Sequence, residues 1–345
     1  MHRNYTTPQA GSLWAVLLDN RGTSLFVSPI CWTDLHTNLL SCRFRQLPEQ
    51  NTPTPISSRL PRRSPRTSPK IVALCRDLDT LTSTETPCNM VEKNRALRDV
   101  MSTLFPIHLS KSRTCVELDL RFGDLYYPNA VLCQVLWKHP DASMLFSSTI
   151  SWTSNRSTSV PIASMDVNIA SDAPILAYVN RSNINKMRKK RLRMTRGRDG
   201  PDNGPVHRLQ KIRANRLVPS NVNEDQYFLA VMIAMAQHSV YTDNLEGLNF
   251  SPKDVRVRLM TTSKNNDAFI VYTATVPAAS LMMFHKPHKA PVGDAQILVD
   301  YIRVPIWPAM GLKERLGQVL GREVVGHFDQ DNMETFDSQG RIAKA

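Results

Sequence analysis

Phe, Trp and Tyr make up only 7% of the 345 residues, and glycine, with 13, is outnumbered by proline, with 23. That balance speaks against one continuous compact fold and for globular parts joined by stiff, irregular connectors. Close cysteine pairs are missing. The six cysteines fall at 31, 42, 75, 88, 115 and 133, never nearer than eleven positions, which excludes Cys-x-x-Cys zinc spacing. Long apolar runs are missing as well. The first, Leu13 to Leu18, spans six residues, too short for a secretory h-region, and none approaches the roughly 20 residues of a membrane helix. Reduced thiols, no membrane contact and residence in the nucleus are therefore expected, with the cytoplasm as the alternative compartment.

What the chain does have is positive charge concentrated in one place. Residues 181–216 hold 13 Lys and Arg against two Asp, a net +11 out of +13 for the whole chain. Residues 1–180 hold 18 cations against 14 carboxylates, and residues 217–345 hold 12 against 14. The run Lys186, Arg188, Lys189, Lys190, Arg191 and Arg193 continues with Arg196 and Arg198. A second cluster, Arg208, Lys211, Arg213 and Arg216, follows a spacer rich in Gly, Pro and Asp. Packed cations repel one another, so the expectation is an extended linker over residues 181–221. Three readings compete for it: a bipartite signal held by an import receptor, electrostatic contact with nucleic acid, and a solvated connector. The run has none of the interleaved aromatics that single-strand stacking uses. Asp199, beside Arg196-Gly197-Arg198, speaks against a minor-groove hook.

Patterning divides the rest. Residues 1–88 read as disordered, centred on residues 51–70, where five prolines stand among Ser, Thr and Arg. Ser64-Pro65 and Ser68-Pro69 fit proline-directed phosphorylation as well as a plain linker. Residues 89–180 read as a small α+β subdomain with an irregular tail. Asn89-x-x-Glu92 resembles a capping box ahead of Leu97, Val100, Met101 and Leu104, which share a helical face. Val116, Leu118, Leu120 and Phe122 alternate with polar residues as a strand does, and the apolar run Ala130 to Trp137 is its candidate partner. One short apolar run, Pro174 to Val179, interrupts the tail.

Residues 222–328 carry the clearest pattern, and residues 329–345 read as a disordered tail. Asn221-x-x-Glu224 is a second capping box, before a run from Tyr227 to Ala236 that is apolar all round and so predicts a buried helix. Val255, Val257 and Leu259 alternate with Arg256 and Arg258, a strand with one wet face. A polar turn at 263–267 leads to a second strand, Ala268 to Val276, completing a hairpin. A short helix after Pro277, a strand with Ile297, Val299 and Tyr301 on one face, and a last helix ending at Gly321 follow. The expected class is α+β: a small, mostly antiparallel sheet packed with about three helices, the N-terminal half being largely irregular.

The stretches FIVYTATVPAASLMMFHKPHKAP and DYIRVPIWPAMGLKERLGQVLG resemble a C-terminal domain of filamentous-fungal proteins of unassigned function, over about residues 222–328. The resemblance implies a recurring unit and carries no activity with it.

No chemistry-bearing constellation assembles from the sequence, so neither catalytic residues, cofactor nor metal is expected. His285 and His288 are three apart, but Pro287 breaks the helix they would share, and His327 is distant. The carboxylates Asp254, Asp267, Asp294, Asp300, Glu314 and Glu323 are scattered. Asp300-Tyr301-Ile302 lacks the lysine of a metal-dependent nuclease pair. The glycines at 311, 317 and 321 lie in a helix and its caps rather than in a phosphate loop. Trp307, between Pro305 and Pro308, reads as a plug holding a turn to the last helix rather than as an exposed platform. The leading expectation is a nuclear, non-enzymatic protein whose C-terminal domain is a macromolecular binding module, with an unknown protein partner. A degenerate nuclease-like enzyme, and direct nucleic-acid binding through 186–216, are the alternatives.

Overall fold

Strands from both halves of the chain pair into one sheet. The computed structural model describes residues 7–23, 25–52, 69–83, 90–138, 173–192, 204–244, 247–309 and 311–326. In chain order these form α1 (Leu13–Asp19), α2 (Asp34–Leu39), β1 (Cys42–Gln46), α3 (Pro69–Thr82), α4 (Met90–Leu104), β2 (Ser112–Phe122), β3 (Leu125–Lys138) and β4 (Pro174–Tyr178). Then come α5 (Arg181–Arg191), α6 (Gly204–Arg216), α7 (Gln226–Val240), β5 (Tyr241–Asn244), β6 (Gly247–Phe250), β7 (Val255–Thr262) and β8 (Ala268–Val276). The last elements are α8 (Ala278–His285), β9 (Ile297–Pro305), α9 (Leu312–Leu320) and α10 (Arg322–Val325). Seven strands make a mixed sheet in the order β1-β9-β8-β7-β4-β3-β2, with β5 and β6 as a separate hairpin. β1 runs parallel to β9 and β4 parallel to β7; the other neighbours are antiparallel.

This corrects the expected class. The fold is α+β, but its sheet is large and mixed, ten α-helices occur among the described residues, and residues 1–180 supply four of the seven strands. The physical reason lies in two five-residue strands with no local partner. β1 is held by β9, with Arg45 opposite Asp300. β4 is inserted between β3 and β7. Being covered on both faces, β4 is apolar throughout and shows no alternation to read. The hairpins β2–β3 and β7–β8 form where local alternation and a polar turn place them.

Period-two alternation sorts the side chains into two cores. Val257, Leu259, Tyr272, Ala274, Val299 and Tyr301 face α7. Trp137, Leu176, Tyr178, Phe269, Val271 and Val304 face α3, α4 and α9. Thirteen of the fifteen residues of α7 are buried, as a helix apolar all round requires. Of its buried polar residues, Gln237 accepts from the Arg121 amide at 2.8 Å and donates to the Arg121 carbonyl at 3.0 Å. The helix starts one turn after the expected cap, since Asp225, not Asn221, accepts from the Tyr227 amide at 2.9 Å. On α4, Leu97, Val100, Met101 and Leu104 are buried together as expected; Asn89, the proposed cap, lies outside the described residues. The anticipated wet face of β7 is not wet at Arg258, which is only 3% exposed and donates to Glu323.

Arg315, buried on α9, donates to the carbonyls of Pro305, Ile306 and Pro308 and to Thr52 Oγ1. It thereby ties the Trp307 turn to the N-terminal segment, while Trp307 packs half-buried against the α9 core.

Residues 25–36 are likewise held by specific contacts. His36 stacks on Trp32 with rings 5.6 Å apart, its Nε2 lies 3.1 Å from the Leu25 carbonyl, and the Thr33 amide donates to Nδ1 at 3.0 Å. These contacts define a neutral imidazole, and burial pushes its pKa below the ordinary value. The unfolded chain therefore binds a proton near pH 6.5 that the native chain refuses, so stability is complete above that pH and falls as pH drops toward the lower native value. We expect a loss of up to about 1.4 kcal/mol per pH unit in that window. Urea unfolding of wild type and His36→Gln across pH 7 to 5 checks it: the variant should show a flatter dependence, and parallel curves would refute the assignment.

Candidate functional site

α5 and α6 have no acidic residue in either sequence. Asn180 caps α5 by accepting from the Ser182 amide at 2.8 Å, and the cations at its last turn suit the negative end of the helix dipole. Lys186, Lys189, Lys190 and Arg191 on α5 are exposed, as are Arg208, Lys211, Arg213 and Arg216 on α6. None of these eight joins an ion pair among the described residues. Arg193, Arg196 and Arg198 lie outside the described residues, as do Ser64, Ser68, His327 and residues 329–345.

Arg188 stands apart from its neighbours in the run. It points inward with Asn183 and Ile184, and its two terminal nitrogens donate to both Asp225 oxygens at 2.8 and 2.7 Å. The side chains are 7% and 9% exposed. Arg188 Nε also donates to the Ile30 carbonyl at 3.3 Å. One arginine of the basic run is thus an internal clamp joining α5, α7 and the N-terminal segment, and it offers nothing to an external anion.

The remaining polar groups singled out by sequence do not converge. Asp300 receives two bonds from Arg45, and Asp267 is held by Ser263 and Arg303, which keeps its carboxyl below the ordinary range. Asp254 accepts from the Ala278 amide, Asp294 from the Gln296 amide, and Glu323 from Arg256 and Arg258. His285 lies 3.0 Å from the Tyr241 hydroxyl and stacks on Phe250, whereas His288 stacks on Trp14. No group of three or more metal-ligating side chains occurs among the described residues, and no described helix is long and apolar enough to cross a membrane.

A second feature is a cavity of about 360 Å³ between α1, the segment 25–32, α2 and the β2–β3 hairpin. Leu13, Val16, Leu17, Trp32, Phe122 and Phe284 are among the residues of its mostly apolar wall. His36 reaches it with both ring nitrogens engaged, as described above. Arg121 borders it on β2, between the lining residues Leu120 and Phe122. Its guanidinium lies 4.6 Å from the Tyr126 ring centre and 5.0 Å from that of Tyr241. It forms no ion pair among the described residues. The nearby Asp119 carboxylate accepts from the Tyr126 hydroxyl and the Asn129 amide.

Sequence reading missed this cavity because its walls come from a segment read as disordered. One local signal was present: Thr33 and His36 form a reciprocal cap at the start of α2, in a spacing that normally carries Glu or Gln at the fourth position. Comparison with protein-family models and with curated proteins finds no match to this chain.

Proposed function

We propose that the protein is a non-enzymatic binding module that holds nucleic acid, in the nucleus, through the outer faces of α5 and α6. The supporting observation is the set of eight exposed, unpaired lysines and arginines on two helices without a single carboxylate. Cations left unpaired on a folded surface keep their full charge for phosphates, whose condensed counterions are released on contact.

The test is duplex DNA and RNA binding by the full-length chain, titrated across salt. Replacing Arg208, Lys211, Arg213 and Arg216 by Ala should weaken binding at all sequences. It should also make the slope of log K against log salt shallower by about 3–4, one for each lost phosphate contact. Affinity and slope unchanged in this variant and in the matching α5 variant (Lys186, Lys189, Lys190 and Arg191 to Ala) would reject the proposal.

Leu209 and Ile212, 47% and 52% exposed on α6, favour a second reading: an import receptor or other acidic protein that covers apolar surface as well as charge. Leu209→Ser with Ile212→Ser should leave nucleic-acid affinity intact if phosphates are the partner.

A further inference from the structure

We propose that the cavity between α1, the segment 25–32, α2 and the β2–β3 hairpin binds an uncharged amphiphile: an apolar body inside, a hydroxyl or carbonyl at the mouth. Three observations carry this. The volume, about 360 Å³, falls in the range of ligand sites, roughly 300–1,000 Å³. The lining is also graded. Leu13, Leu25, Trp32 and Leu120 line the cavity and are buried, whereas Ser28 and Asn129 line it and are exposed, and Tyr127 is half-buried. An apolar interior holds water poorly and takes apolar matter instead. The side chains of Ser28, Tyr127 and Asn129 form no hydrogen bond among the described residues, which leaves their donors and acceptors for the polar end of a ligand.

The third observation is that no charge faces the cavity. Arg121 borders it on β2, but its guanidinium lies over the rings of Tyr126 and Tyr241, neither of which lines it. His36 spends its ring nitrogens on the Leu25 carbonyl and on Thr33. The other lining residues include no Lys, Arg, Asp or Glu. A charged head group would therefore give up hydration with no opposite charge to replace it, while a neutral one would meet neutral partners. None of the exposed cations of α5 and α6 lines the cavity, so the site does not depend on their partner.

Trp32 lines the cavity and supplies the readout. Decanol, decanoate and decylammonium, which share one chain length and differ in head-group charge, are titrated into the full-length chain while tryptophan emission is followed; Trp32→Phe assigns the signal. Decanol should saturate and bind more tightly than either ion by about tenfold or more. The double variant Ser28→Ala, Tyr127→Phe should weaken decanol by about fivefold, the scale of one neutral hydrogen bond, and Arg121→Gln should leave it unchanged. Val16→Phe, which fills the cavity from α1, should weaken decanol as well, with Leu17→Phe as the substitute if circular dichroism shows Val16→Phe unfolded. No saturable signal with wild type, either ion bound as tightly as decanol, undiminished affinity in the double variant, or full binding in the filled variant would each overturn the proposal.

Discussion

Asp225→Ala should cost about 4 kcal/mol or more of unfolding free energy. Removing one partner of a buried ion pair leaves the other charge uncompensated, a loss of about 3–5 kcal/mol, and Arg188 is left among buried side chains. The same substitution removes the cap of α7, which adds about 1 kcal/mol. The double variant Arg188→Met, Asp225→Asn keeps a capping side chain and removes both charges, so it should be more stable than Asp225→Ala alone. Urea unfolding of the singles and the double should yield a coupling of about 2 kcal/mol or more. Additive losses would mean that the pair is not buried as described. Because Lys189 and Lys190 are exposed on the same helix, their alanine variants should change stability by less than about 0.5 kcal/mol. That contrast separates the structural cation from those proposed to meet nucleic acid.

Trp137→Ala should be nearly as damaging. The indole is fully buried on β3 in the core beneath α3, α4 and α9, and its Nε1 donates to the Leu109 carbonyl at 3.0 Å. Deleting a buried Trp side chain costs about 3–5 kcal/mol, and leaving the Leu109 carbonyl unsatisfied adds about 1–3 kcal/mol. Whole domains are stable by only about 5–15 kcal/mol, so this one change should bring the protein close to its unfolding threshold. Trp137→Phe keeps most of the volume and loses the donor, and it should cost about half as much. A Trp137→Ala midpoint in urea close to wild type would show that β3 is not part of a shared core.

How far the sequence speaks depends on the distance between partners. The β7–β8 and β2–β3 hairpins and the buried helix α7 are legible because their alternation, turns and unbroken apolar run are local. β1 and β4 are not, because five residues carry too little pattern and their neighbours lie far along the chain. The strands within residues 222–328 are only part of this sheet. The basic run shows the same limit at the level of one residue. Arg188 looks like Lys189 in sequence, and what separates them is Asp225, 37 positions away. Ile184, one helical turn before Arg188, was the only local hint of an inward face. The cavity was the least legible, since it is bounded by segments that only the finished sheet brings together.

The parallel pairing of β1 with β9 also fixes an order of events at the ribosome. Arg45 is translated long before Asp300, 255 positions later. At about 5–20 residues per second, the emerging β1 waits roughly 10–50 s for the strand that completes it. Through that interval the nascent chain carries an open strand edge and apolar surface that its last third has yet to cover. Rapid elongation through residues 52–296, or a chaperone bound to the first fifty residues, therefore bears directly on how much of the protein reaches its folded state.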